Sequence, residues 1–216
     1  MIQLYFHPGT AAMVPHIVLE ELGVPYERVA VDRVNGEHKA PAYLALNPNG
    51  LIPVLVDGDL VLYETAAICL HLSDTYPQAG LMPALGTHER AHAYKWLMWL
   101  TNTLQATLLA YFYPERWVDA GNVAGAAEVK ACAQARVGVL LDQLDAELAR
   151  HGGPWFAGEA FTVLDAYVFT LCRWTRNFSS APARDRAHVG LYLRRMLERP
   201  ALRRVMSNEG LAEPFV

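Results

Sequence analysis

Residues Asn47–Gly58 read NPNGLIPVLVDG. Pro53 stands between Ile52 and the strand-forming run Val54, Leu55 and Val56. Proline has no backbone N–H for a sheet ladder, so it belongs at a strand's first residue, on an edge or at a bulge. Its place at the mouth of a strand that reads as central suggests that the sheet needs no N–H at this position. The backbone just before Pro53 is then held outward, open to another partner. The local sequence also suits an ordinary turn proline, so the rest of the chain decides.

Working outward, Val54–Val56 and Leu60–Tyr63 flank Asp57-Gly58-Asp59, a hairpin signal. Upstream, Ile2, Leu4 and Phe6 alternate with Gln3 and Tyr5, as in a half-buried strand. From Thr10 to Leu22, the residues Met13, Val14, Ile17, Val18 and Leu22 share one helical stripe, and Gly23 occupies the expected stop position. Pro15 falls early in that helix, where its missing N–H costs less. Tyr26–Val31 reads as a second strand and Glu64–Tyr76 as a helix stopped by Pro77. The order is β-α-β, then β-β-α.

Gln78–Thr87, with Gly80, Pro83 and Gly86, reads as a linker. Beyond it, His88–Phe112, Ala124–Arg150, Leu164–Phe178 and Asp185–Glu198 are apolar-periodic helical segments, and Gly152-Gly153-Pro154 makes a clean break. The expected architecture is an α/β domain over residues 1–78, a linker over 79–87 and a larger all-α domain over 88–216.

With 216 residues, 53% hydrophobic and 19% charged, the chain is globular and has ample material for a core. The net charge of −4 and the lack of a basic stripe argue against nucleic acid as the main partner. Cys69, Cys132 and Cys172 are far apart and form no zinc-ligand spacing, which points to a metal-free protein in a reducing compartment. The start MIQLYFHPGT lacks a basic signal-peptide region, and no apolar run reaches the roughly 20 residues of a membrane span. These features lead us to expect a soluble, cytoplasmic protein without a membrane partner.

Five segments then occur in order: LYFHPG (Leu4–Gly9), PHIVLEELG (Pro15–Gly23), NPNGLIPVL (Asn47–Leu55), YETAAICLHL (Tyr63–Leu72) and FTVLDAYVFTL (Phe161–Leu171). Together they resemble the cytosolic glutathione S-transferases, most closely the bacterial beta class. The resemblance covers nearly the whole chain, down to Glu209–Leu211. It implies a thioredoxin-like N-terminal domain that binds glutathione as co-substrate and an all-α domain that takes a small electrophile. It also implies a homodimer, in keeping with the helix around Ala93–Leu109, which is apolar over more of its circumference than one core face requires.

The resemblance makes the Ile52–Pro53 bond cis and gives the Ile52 backbone to the cysteinyl part of glutathione. The logic is general: an X–Pro bond adopts cis at a cost of only about 0.5–1 kcal/mol, and an open backbone edge binds an extended peptide as an added strand. Thr65, at a helix start, is implied to receive the γ-glutamyl carboxylate, where free N–H groups and the positive dipole end favour an anion. Glu64 is implied to lie near the α-amino group. His38 and Lys39, before Pro41, are candidates for the glycyl carboxylate, or are simply solvated charges. Thr162 and Asp165 form a capping-box pattern, a folding element rather than a site.

The chain departs from the beta-class pattern where chemistry is done. Ala11 stands where that class carries its reactive cysteine, which demotes a thiol-reductase reading. The hydroxyls left are Thr10, the first choice to hydrogen-bond the glutathione sulfur, and Tyr5, the second; His7 is close in sequence. Gln105 falls where a histidine is usual and Met98 where an asparagine is. Two readings stay open: a transferase with a hydroxyl-type site, and a glutathione-binding or scaffold protein of the same fold without turnover. Trp96, Trp99, Tyr111, Phe112, Tyr113, Trp117, Trp174 and Phe178 supply either an apolar electrophile pocket or core and dimer contacts.

Overall fold

A computed structural model describes all residues, Met1–Val216. Strand β1 (Ile2–Phe6) buries Ile2, Leu4 and Phe6 and leaves Tyr5 half-buried, as strand alternation requires. It is a central strand. β2 (Tyr26–Ala30) runs parallel to it on one side; β3 (Val54–Asp57) runs antiparallel on the other and pairs in turn with the edge strand β4 (Leu60–Tyr63). Helix α1 (Met13–Leu22) connects β1 to β2 and ends at Gly23, whose φ of 66° is open to glycine. A single-turn helix, α2 (Pro41–Leu44), precedes β3, and α3 (Thr65–Thr75) follows β4. This is the thioredoxin-like arrangement expected from the sequence.

α1 starts three residues later than the apolar stripe suggested. Gly9 adopts φ 70° and the Thr10 hydroxyl donates to the His7 carbonyl at 2.7 Å, so residues 10–12 form a turn rather than a first helical turn. Local side-chain-to-backbone bonds of this kind compete with helix formation.

The second unit is helical. α4 (His88–Trp99) continues through a π-helical stretch, Leu100–Gln105, into α5 (Ala106–Phe112). α6 (Val123–His151) is capped by Asn122, whose side chain accepts from the Gly125 N–H. α7 (Val163–Trp174) is buried on every side from Val163 to Arg173. Its start is fixed by Asp165: the carboxylate accepts from the N–H groups of Thr162 and Phe156, each at 2.8 Å, and from the Tyr192 hydroxyl at 3.1 Å. Tyr192 lies on α8 (Ala187–Glu198). No helix is long and apolar enough to cross a membrane.

The last helix, α9 (Pro200–Asn208), packs with the sheet domain rather than with the helices before it. The chain divides into Met1–Pro83 with Met196–Glu213, and Ala84–Arg195 with Pro214–Val216. Residues 196–213, part of the helical block 88–216 drawn from the sequence, thus belong with the sheet unit by their packing. An amphipathic stripe such as Ala201, Leu202, Val205 and Met206 announces a buried face without saying which core receives it. Here it faces α1, and ion pairs fix it there: Arg199 forms a two-bond fork with Glu21 at 2.6 and 2.7 Å, and Arg204 pairs with Glu20.

Candidate functional site

Strand register draws the candidate residues of the first unit together. Tyr5 of β1 lies opposite Val54 of β3, and Val54 lies opposite Tyr63 of β4. The residues just beyond this row are therefore neighbours at one end of the sheet: the turn after Phe6, the Ile52–Pro53 bond before Val54, and Glu64-Thr65 after Tyr63. The loop after β2 joins them, because the Val31 N–H donates to the Phe6 carbonyl at 2.8 Å and the His7 ring lies 3.1 Å from the Val31 carbonyl through Nδ1.

The Ile52–Pro53 peptide is cis. The loop before it is organised by Asn47, a buried side chain. Its Nδ2 donates to the Leu51 carbonyl at 2.9 Å, and its Oδ1 accepts from the Asn49 N–H at 3.0 Å. The Tyr43 hydroxyl also donates to Leu51, at 2.8 Å, so that carbonyl is saturated. Ile52, in contrast, has no hydrogen bond to the rest of the chain through its N–H or C=O. A buried scaffold thus holds one peptide unit outside the sheet ladder.

Glu64 adopts φ 73°, one of two non-glycine residues with positive φ. Such backbone costs of order 1–3 kcal/mol and persists only when its surroundings enforce it. Here it aims the start of α3: Thr65 is the first helical residue, is buried, and no acidic side chain occupies the first turn. Free N–H groups at this helix start suit an anion.

His38 and Lys39 form a short 3-10 turn with Glu37. The Lys39 ammonium donates to the Asn49 carbonyl at 3.3 Å, bringing this cation beside the NPNG loop. Burial, together with the positive charges of Lys39, Arg33 and His7, holds His38 below the usual histidine range. Lys39 and Arg33 thus give this end of the sheet positive charge beside a His38 ring that favours its neutral form.

The two hydroxyl candidates are differently placed. Thr10 lies in the turn before α1, and its hydroxyl hydrogen is committed to His7. Its oxygen also lies 3.4 Å from the Ala12 N. Tyr5 packs edge-on against Tyr43, with ring centroids 6.2 Å apart, among Val31, Val54 and Ile52. Gln105 belongs to the other unit, where its Oε1 accepts from the Tyr167 hydroxyl at 2.6 Å. Cys69 and Cys172 are buried, which pushes both thiols up, Cys172 to about 12, so neither competes as a thiolate; Cys132 is exposed on α6.

Comparison with known proteins decides the family. Models of the glutathione S-transferase N-terminal and C-terminal domains match residues 1–74 and 100–200. The chain belongs to the glutathione S-transferase family. Glutathione S-transferase GstA of Escherichia coli O157:H7 is 28% identical over 97% of this chain and 100% of its own length. A glutathione transferase homologue from Sulfitobacter, solved with bound glutathione, has a TM-score of 0.88 at 27% identity and covers 98% of this chain and 99% of its own. The beta-class enzyme of Sphingomonas chungbukensis has a TM-score of 0.82 at 28% identity, covering 97% and 100%.

Some parts of this candidate region had little signal in the sequence. Asn47 stood in the quoted motif, yet nothing in the sequence says that its side chain serves the Leu51 carbonyl. Arg33 gave no signal beyond its charge. Glu209 and His16, nearly 200 positions apart, meet only because α9 returns to α1.

Proposed function

We propose that this glutathione S-transferase binds glutathione at the sheet end formed by residues 7–10, 31–39, 52–53 and 64–65 and conjugates its thiolate to a small hydrophobic electrophile. One observation carries the reading: the Tyr5–Val54–Tyr63 row sets an unpaired Ile52 backbone between the turn after β1 and the open start of α3. The Ile52 backbone pairs with the cysteinyl unit, Thr65 and the α3 N-terminus hold the γ-glutamyl carboxylate, and Glu64 meets the α-amino group. The Lys39 ammonium, with the His38 ring as a neutral hydrogen-bonding neighbour, suits the glycyl carboxylate. In the helical unit, Tyr111 and Phe178 meet at a tilt with ring centroids 4.3 Å apart and Phe112 and Trp174 meet edge-on at 6.2 Å, an aromatic cluster that suits an apolar co-substrate.

Thr10 acts on the sulfur by rotating its hydroxyl away from His7, with the start of α1 adding its dipole; Tyr5, packed on Tyr43, acts less. A free thiol ionises near pH 8.5, and lowering that by two units takes about 2.7 kcal/mol of preferential thiolate stabilisation. Losing a single anion-stabilising donor costs roughly 100–1000-fold in other enzymes; because Thr10 must first break its bond to His7, Thr10→Ala is expected to lower turnover of an aryl halide by only about tenfold. An unchanged rate and thiol pKa would remove Thr10 from the mechanism. Calorimetry with glutathione and a steady-state aryl halide assay test the whole reading.

A second reading, a glutathione-binding protein without turnover, is favoured by Ala11, by the committed Thr10 hydroxyl and by the Gln105–Tyr167 bond. Glutathione binding without any turnover would decide for it. In either case we expect a cytoplasmic homodimer. Tyr94 and Met98 on α4 are exposed apolar residues suited to an isologous contact. Light scattering at micromolar concentration should give about twice the 24.0 kDa chain mass, and a monomer would refute the assembly.

A further inference from the structure

Glu209 follows the last residue of α9, and its side chain and that of His16 on α1 are both fully buried. Glu209 Oε2 accepts from the N–H of Gly9 at 2.8 Å, and Oε1 lies 2.7 Å from His16 Nδ1. A buried carboxylate is costly unless it is paired and hydrogen-bonded, so a carboxylate kept here has to satisfy specific donors. His16 does not account for it alone. Its Nε2 has no hydrogen-bond partner, and its ring is flanked by Phe6 and Tyr26, with centroids 6.1 and 5.9 Å away. The other end of the carboxylate holds the residue just before Thr10, in a conformation with φ 70°.

The surroundings fix Glu209 in place. Gly210 turns the chain with φ 61°, and the Leu211 N–H closes back on the Met206 carbonyl at 3.0 Å. Leu211 also approaches Gly9: a Cβ at Gly9 would lie 3.6 Å from its Cδ2. Arg199–Glu21, Arg204–Glu20 and the bond from Arg28 to the Asn208 carbonyl clamp α9 onto α1 and β2.

We propose that Glu209 is a positioning residue of the glutathione site: its carboxylate, held by His16, fixes the Pro8–Gly9–Thr10 turn so that the turn presents its groups to the sulfur. This rests on the reading of that turn as the sulfur site. Ångström-scale misplacement of a reacting group costs up to about 100-fold in rate. For Glu209→Ala we expect about a tenfold fall in kcat, a rise of roughly one unit in the pKa of bound glutathione, and a KM for glutathione changed by less than about threefold, since the Ile52 and Thr65 contacts remain. Glu209→Gln keeps an oxygen for the Gly9 N–H and should restore most of the rate. Arg204→Met, which removes an ion pair of the same helix away from Gly9, serves as the control for loosened docking.

The experiment combines these kinetics with amide hydrogen exchange of Gly9 in the full-length chain. Faster Gly9 exchange and a raised thiol pKa in Glu209→Ala, but not in Glu209→Gln or Arg204→Met, support the proposal. Equal effects of Glu209→Ala and Arg204→Met, or an unchanged thiol pKa with faster exchange, overturn it. If Glu209→Ala does not fold, Glu209→Gln and Glu209→Asp decide: the shorter aspartate should lose protection at Gly9 and raise the pKa, and its failure to do so overturns the proposal. If wild type leaves the thiol at its solution pKa, the sulfur-site reading itself fails, and with it any catalytic positioning by Glu209; Gly9 exchange then shows whether the carboxylate holds the turn at all.

Discussion

Asp165→Ala is expected to destabilise the protein by about 3–5 kcal/mol and to lower the midpoint of thermal unfolding by roughly 10 °C. Asp165 is fully buried and its carboxylate receives the N–H groups of Phe156 and Thr162 together with the hydroxyls of Thr162 and Tyr192. Alanine leaves the N–H groups of Phe156 and Thr162 buried without an acceptor, while the Tyr192 hydroxyl keeps the Asp165 carbonyl at 3.1 Å; each orphaned group costs about 1–3 kcal/mol. Partial relaxation of the segment before α7 holds the sum to the stated range, and the temperature shift follows from about 2–4 °C per kcal/mol for chains of this size. Asp165→Asn keeps one acceptor oxygen and should lose roughly half as much. Urea unfolding followed by far-ultraviolet circular dichroism measures both; a loss below about 1 kcal/mol for the alanine variant would contradict this account of how α7 is held.

Glu64→Gly is expected to weaken glutathione binding roughly 10–100-fold while leaving stability unchanged or raising it by about 1 kcal/mol. In the proposed binding mode the loss follows from removing a carboxylate that would make a charge-assisted hydrogen bond to the ligand's ammonium, worth about 1.5–3 kcal/mol. The gain follows from the backbone. Glu64 has φ 73°, which glycine adopts without a Cβ penalty. Relief of strain of order 1–3 kcal/mol is offset by the extra chain entropy of glycine, about 0.5–1 kcal/mol. A residue retained only for structure should be easier to replace without loss of affinity. Calorimetric titration with glutathione and thermal unfolding separate the two effects. Unchanged affinity would remove Glu64 from the site.

Much of the N-terminal unit was legible in the residues. Alternation fixed β1, the Asp57-Gly58-Asp59 turn fixed the β3–β4 hairpin, and the proline before Val54 pointed to a backbone edge kept out of the ladder. Asp165 was readable because a capping box is local: the donor and the carboxylate lie three positions apart. What the sequence concealed was long-range or geometric. Thr10 has a hydroxyl wherever it sits, but only the folded turn commits that hydroxyl to His7. Tyr5 lies off the buried face of β1, as its alternation suggested, yet its packing on Tyr43 depends on the path of a loop. The docking of α9 on α1, and with it the pairing of His16 and Glu209, rests on which of two cores accepts an amphipathic helix, a choice that periodicity does not encode.

The most direct measurement is the ultraviolet titration of the thiolate of glutathione bound to the wild-type protein, at saturating protein and across neutral pH. The account predicts a bound thiol that ionises about two units below the free value near 8.5, because the turn at Thr10 and the start of α1 favour the anion. Bound glutathione that ionises at its free-solution pKa would contradict it.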